Sequence, residues 1–218
     1  MHFLSHYYTE LPSNNPLFVV ALGIPDLTPH FAKAYNSKLK HAAFEPEHEL
    51  TAIHWGIQRH FAGDAKFHSN PLFMQQVHEA VSSMVNEGMN RQHLRLSVIA
   101  HLALEMLIDR QIIIQQPHVC NEYYALIGKA DETVLHSYFI HFGLERERSI
   151  FSERFAFFRQ RQFLFLFHDL ENIVFGLNSI YGSVTKVELN VKEKAQLKAA
   201  LHNIDNIIRY RWQEILQV

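Results

Sequence analysis

Histidines and carboxylates recur one helical turn apart along this chain, and side chains four residues apart on an α-helix stand on one face, one above the other. His60, Asp64 and His68 form such a ladder over two turns of the segment from Gly56 to His68. His101, Glu105 and Asp109 repeat it between Val98 and Asp109, where almost every intervening residue is apolar. Those flanks draw His101 and Glu105 toward a core, and a buried carboxylate is costly without a partner or a cation. His2 with His6 and Asp26 with His30 supply two further pairs. Such ladders on several helices are how helical bundles assemble interior metal sites. Mixed imidazole and carboxylate donors suit Zn²⁺, Mn²⁺ or Fe²⁺ far better than Ca²⁺, which prefers oxygen alone.

The same spacing also arises in ordinary surface ion pairs, so each pair taken singly has a plainer reading beside the metal-binding one. Asp109 next to Arg110 reads as an ion pair at a helix exit. His54, six residues from His60, falls on another face and reads as a packing or hydrogen-bonding residue. The other histidines, among them His41, His48, His78, His93, His118, His136, His141, His168 and His202, have no comparable neighbours and read as structural.

These ladders need long helices to carry them, and the scarcity of glycine and proline fits that need. Pro12, Pro16, Pro46, Pro71 and Pro117 fall where helical patterns start or stop. The spacing of apolar residues predicts helices over about Phe3–Glu10, Pro16–Leu22, Glu47–Phe67, Leu72–Asn86 and Arg91–Gln115. It predicts further ones over Cys120–Ile127, Glu132–His141, Glu145–Ile180 with at least one break, and Val191–Leu216. Gly23-Ile24-Pro25-Asp26 reads as a break after the second helix, and Thr185–Leu189 is the one stretch with a weak extended character. The expected fold is all-α, an irregular single-domain helical bundle over residues 1–218.

Composition narrows the function classes. No uninterrupted apolar run reaches the roughly 18 to 20 residues of a membrane-spanning helix, and the first residues lack the pattern of a secretory signal. A cytoplasmic location is the expectation. The lone Cys120 excludes an internal disulfide framework or a cysteine-rich zinc cluster, so any metal must be held by nitrogen and oxygen. A formal net charge of −2 argues against a general nucleic-acid binder. The 16 histidines are the compositional outlier, and histidine is the commonest metal ligand.

Taken together, Met1-His2-Phe3-Leu4-Ser5-His6, Gly23-Ile24-Pro25-Asp26, the stretch from Gly56 through His60 and Asp64 to Pro71, and the pair His101 and Glu105 resemble the acyl carrier protein phosphodiesterase family. That family is helical and distantly related to the HD-type metal-dependent phosphohydrolases. The resemblance covers about the first half of the chain, and it departs from the family in several places. His68 and His101 stand where the family has aspartates, Glu105 replaces another, Met106 occupies the place of a histidine, and Ile24 that of an asparagine. A weaker similarity, to zinc-dependent phospholipase C, rests on Leu22–Asp26 and the His101 helix.

The resemblance implies an HD-like fold and a divalent ion, Mn, Fe or Zn, held by His6, Asp26, His60, Asp64, His68, His101 and Glu105. Asp26 and Asp64 are the expected catalytic residues. The reaction it implies is phosphodiester hydrolysis, releasing phosphopantetheine from an acyl carrier protein. Such carriers are acidic, so Arg59, Arg91, Arg95 and Arg110 are the expected docking residues. The competing reading is a diverged, non-catalytic binding or scaffold protein that keeps the ladder as a buried hydrogen-bond network, and Met106 favours it. Phospholipid hydrolysis would need an apolar groove, for which the phenylalanines between Phe151 and Phe167 are the candidates, although core packing is the simpler role for them.

Overall fold

Side-chain caps fix where many of the helices begin. In the computed structural model, which describes residues 1–45 and 48–217, Asn15, Asn70, Asp131, Asp169 and Asn190 each accept a backbone N–H from the first turn they precede. Pro16 and Pro71 take the first helical position, where a missing N–H costs nothing. The helices are α1 (Phe3–Thr9), α2 (Pro16–Leu27), α3 (Phe31–Ala34), α4 (Thr51–His68), α5 (Pro71–Asn86) and α6 (Leu96–Gln115). They continue with α7 (Pro117–Ile127), α8 (Glu132–His141), α9 (Glu145–Arg161), α10 (Leu170–Thr185) and α11 (Val191–Leu216). A π-helical turn, Tyr35–Leu39, follows α3, and a 3₁₀ segment, Phe163–His168, precedes α10. Among the described residues there is no strand, so the all-α expectation holds.

Three local expectations are corrected. The second helix does not break at Gly23-Ile24-Pro25-Asp26; α2 runs through Pro25 to Leu27, which puts Asp26 in its last turn. Proline there removes one hydrogen bond, to the carbonyl four residues back. The fully buried Val19, Ala21, Leu22 and Ile24 hold the helix on course regardless. Thr185–Leu189 forms no strand: α10 includes Thr185, and Lys186 caps it in the left-handed conformation (φ 62°). The fifth predicted helix begins at Leu96 rather than Arg91, the residues before it forming turns. The expected entry of α4 at Pro46 and Glu47 lies outside the described residues; the helix itself starts at Thr51.

The chain forms two compact units, Met1–Ala65 with His118–Phe163, and Lys66–Pro117 with Leu164–Val218. In the first, α1 packs on α2, α2 on α3 and α9, and α8 on α9. Its core includes Leu4, Tyr7, Leu22, Ile57, Phe139, Phe151 and Phe158. Gly56 is where α4 crosses α2: an added Cβ would lie 2.6 Å from both the Ala21 Cβ and the Phe18 carbonyl oxygen. The missing side chain therefore permits the crossing that delivers His60, one turn further along, to α2.

In the second unit α5, α6, α10 and α11 pack on one another. α6 is buried on nearly every side, as an almost uniformly apolar helix should be. Met106 is core, its methyl lying 2.8 Å from where a Cβ on Gly176 would stand. Asp109 is fully buried in mid-helix, not at an exit. Arg110 turns to Asp205 (3.2 Å) instead, and its guanidinium also donates to the carbonyls of Phe167 and His168. No helix among the described residues is long and apolar enough to cross a membrane.

Candidate metal centre

The seven predicted ligands gather in two sets. His6, Asp26, His60 and Asp64 belong to the first unit; His68, His101 and Glu105 belong to the second.

In the first set α1 contributes His6, α2 contributes Asp26 and α4 contributes His60 and Asp64. The rings of His6 and His60 stack, centroids 4.1 Å apart. Gly63 allows α1 this close, since a Cβ there would stand 2.7 Å from the Met1 methyl and 3.5 Å from His6 Nδ1. His60 donates its Nδ1–H to the Leu22 carbonyl at 2.8 Å, which turns Nε2 toward the acids. That nitrogen lies 3.3 Å from Asp64 Oδ2 and 3.9 Å from Asp26 Oδ1. This is the arrangement that second-sphere carbonyls impose on metal-binding histidines. His6 Nε2 approaches Asp64 Oδ1 at 3.2 Å, yet it is fully buried with no well-aligned hydrogen bond. The Met1 amino group donates to the same oxygen at 2.7 Å.

The electrostatics follow from burial. The imidazoles are 1% and 2% exposed, whereas Asp64 and Asp26 keep 26% and 30% of their side-chain surface. Burial pushes His6 down to about 3, with His60 and the amino group adding to the shift and Asp64 opposing it. Burial also acts to lower His60, but the contact with Asp64 and the field of Asp26 outweigh it and leave that ring raised. Asp64 would be raised by burial, but His6, His60 and the amino group hold it well below the usual carboxylate range. Asp26 goes the other way: desolvation raises it despite the pull of His60. At rest the set is thus a neutral His6, an anionic Asp64 and an Asp26 that protonates readily.

His2 and His30, paired with His6 and Asp26 in the sequence, do not join this set; His2 lies edge-on to Phe3 (4.7 Å), and His30 is exposed with a left-handed backbone. Asp109 is likewise no part of the second set. Arg59 is exposed and bonded to Glu10 at 2.7 Å, Arg91 and Arg95 are exposed in the second unit, and Arg110 is committed to its interior. Nothing in the residue pattern marks the Leu22 carbonyl or the Met1 amino group, because backbone groups carry no residue identity. His54 behaves as expected, its Nδ1 meeting the Tyr138 hydroxyl at 3.1 Å.

The orphaned, buried Nε2 of His6 is the observation that tests whether a cation fits. A buried imidazole nitrogen set among acids without a well-aligned hydrogen bond can offer a lone pair to a Lewis acid when the ring carries its proton on Nδ1. Ligand atoms of His6, Asp26 and His60 lie within 4.8 Å of one another, with Asp64 against both rings, and such a mixed imidazole and carboxylate set suits Zn²⁺, Mn²⁺ or Fe²⁺. Compared with protein-family models, curated proteins and solved structures, the chain matches none.

Proposed function

We propose that the chain is a divalent-metal-dependent phosphodiester hydrolase, HD-like in its helical site, of the kind its motifs resemble. His6, Asp26, His60 and Asp64 hold the ion. The observation that carries this reading is the unsatisfied Nε2 of His6, stacked on a His60 whose other nitrogen is already committed to the Leu22 carbonyl.

A divalent ion held there supplies a Lewis acid for a phosphoryl oxygen and makes water nucleophilic near neutral pH. The chain does the rest. The two rings form a water-poor floor, and the more accessible carboxylates of Asp26 and Asp64 form the rim that a phosphodiester reaches first. Asp26, with its raised affinity for protons, is the group suited to take a proton as the oxygen–phosphorus bond forms and return it to the departing alkoxide. Asp64 stays anionic and keeps both imidazoles aligned. The substrate in this reading is the phosphopantetheine ester of an acyl carrier protein in the cytoplasm, whose acidic surface suits the exposed Arg59.

The test is an assay of metal-loaded protein on bis(4-nitrophenyl) phosphate, with metal content measured on protein purified without chelator. Stoichiometric Mn, Fe or Zn and turnover lost in Asp64→Ala support the hydrolase. Turnover that survives the substitution overturns it. A non-catalytic scaffold is the second reading, favoured by Met106, which is a core residue where the resembled family carries a histidine. Protein that takes up no metal and is inert toward the phosphodiester supports that reading instead.

A further inference from the structure

The second unit carries its own ligand set. His101 and Glu105 stand one turn apart on α6, and His68 is the last residue of α4. Their Nε2 atoms converge on one atom: His68 Nε2 is 3.0 Å and His101 Nε2 3.1 Å from Glu105 Oε1. The rings lie 4.7 Å apart, and Phe73, fully buried, sets its edge against His101 at 5.1 Å and stands 5.7 Å from His68. Phe67, also buried, stands 5.4 Å from His68.

These aromatic walls limit the rotamers of both rings. The turn that ends at α5 is pinned too, because Asn70 caps that helix and donates its Nδ2–H to the Ile215 carbonyl at 2.8 Å. The ligand atoms are therefore held in place before any ion arrives, which is the condition for tight coordination. Glu105 keeps only 11% of its surface, while His68 and His101 keep 37% and 36%. Two imidazoles and one buried carboxylate thus face one another, with the solvent side open.

We propose that His68, His101 and Glu105 form a second divalent-cation site, which binds Zn²⁺, Fe²⁺ or Co²⁺ through two imidazole nitrogens and one carboxylate oxygen. Such a two-histidine, one-carboxylate set occupies one face of the ion and leaves the remaining positions to water or a ligand. Mg²⁺ and Ca²⁺, which take oxygen donors and in the case of Mg²⁺ dehydrate reluctantly, are poor occupants. The proposal does not rest on the hydrolase reading, since it involves none of the first set's residues.

The experiment is a Co²⁺ titration of the metal-free full chain, followed by calorimetry and by the visible absorption of nitrogen-coordinated Co²⁺. Wild type, His68→Ala, His101→Ala and Asp26→Asn are compared, with circular dichroism on the same samples. His68→Ala sits at a half-exposed helix end and keeps the fold. It should remove one equivalent of bound Co²⁺ or weaken it by at least tenfold, as should His101→Ala, while Asp26→Asn leaves that equivalent in place. Binding unchanged in folded His68→Ala overturns the proposal. So does loss of the same equivalent in Asp26→Asn, which would mean one shared ion.

Discussion

The two ligand sets use the same side-chain types and invert their burial. In the first, the imidazoles are sealed and the carboxylates reach solvent; in the second, the carboxylate is sealed and the imidazoles reach solvent. Burying an imidazole removes its proton, so His6 is driven down to about 3 and left with an orphaned nitrogen. A sealed carboxylate is raised by burial, but neighbouring positive charge first, and then the hydrogen bonds from His101 and His68, hold Glu105 well below its ordinary value. The second set can therefore satisfy itself with two protons, whereas in the first His6 Nε2 is left without a well-aligned hydrogen bond. In the readings proposed above, that difference gives chemistry to the first set and a simple binding role to the second.

The sharpest way to break this contrast is activity. Asp64→Ala should lower hydrolysis of bis(4-nitrophenyl) phosphate by about a hundredfold or more, and His68→Ala by much less, in steady-state assays of metal-loaded protein. Equal losses would erase the distinction.

Acid stability comes next. In metal-free protein His6 stays neutral when folded and protonates near 6.5 when unfolded, so stability is retained above pH 6.5 and falls as the pH drops toward 3. The slope is about 1.4 kcal/mol per pH unit from this group. His60, raised when folded, is protonated in both states below 6.5 and adds no slope there. Glu105, depressed when folded, contributes only below its model value of 4.5, where its stabilisation is lost. Urea midpoints between pH 6.5 and 5 should therefore decline in wild type and flatten in His6→Gln; an unchanged decline in the variant would contradict this account.

Packing gives a third effect. Gly56→Ala should destabilise by about 1–3 kcal/mol, because its Cβ meets α2 backbone and the Ala21 methyl. Gly63→Ala should cost less, since the Met1 methyl can swing away. Thermal melts of the two variants rank them. Smallest is Arg59→Ala, whose exposed pairing with Glu10 should be worth less than about 1 kcal/mol by urea denaturation.

Much of this was legible in the sequence where a periodic pattern was long. The predicted helix Val191–Leu216 matches α11 at both ends, and the one-turn pairs His60–Asp64 and His101–Glu105 are both in contact. Spacing along one helix reveals a face but not what packs against it, so the division of the seven candidate ligands into two sets has no signal in the sequence. Gly-Ile-Pro-Asp has the composition of a turn, but the apolar residues just before it override that preference and keep Asp26 helical. The adjacency of Asp109 and Arg110 suggests an ion pair, but it does not show that Arg110 turns to Asp205 and leaves Asp109 buried in mid-helix.

The bond from His60 to the Leu22 carbonyl has a mechanical consequence. Leu22 and Asp26 are four residues apart on α2, so the acceptor that tethers the ring and the acid it faces ride on the same turn. Any slippage of that helix along its axis carries both anchor points together. The gap between ring and acid is thereby gauged by covalent backbone geometry, not by how tightly neighbouring helices happen to sit.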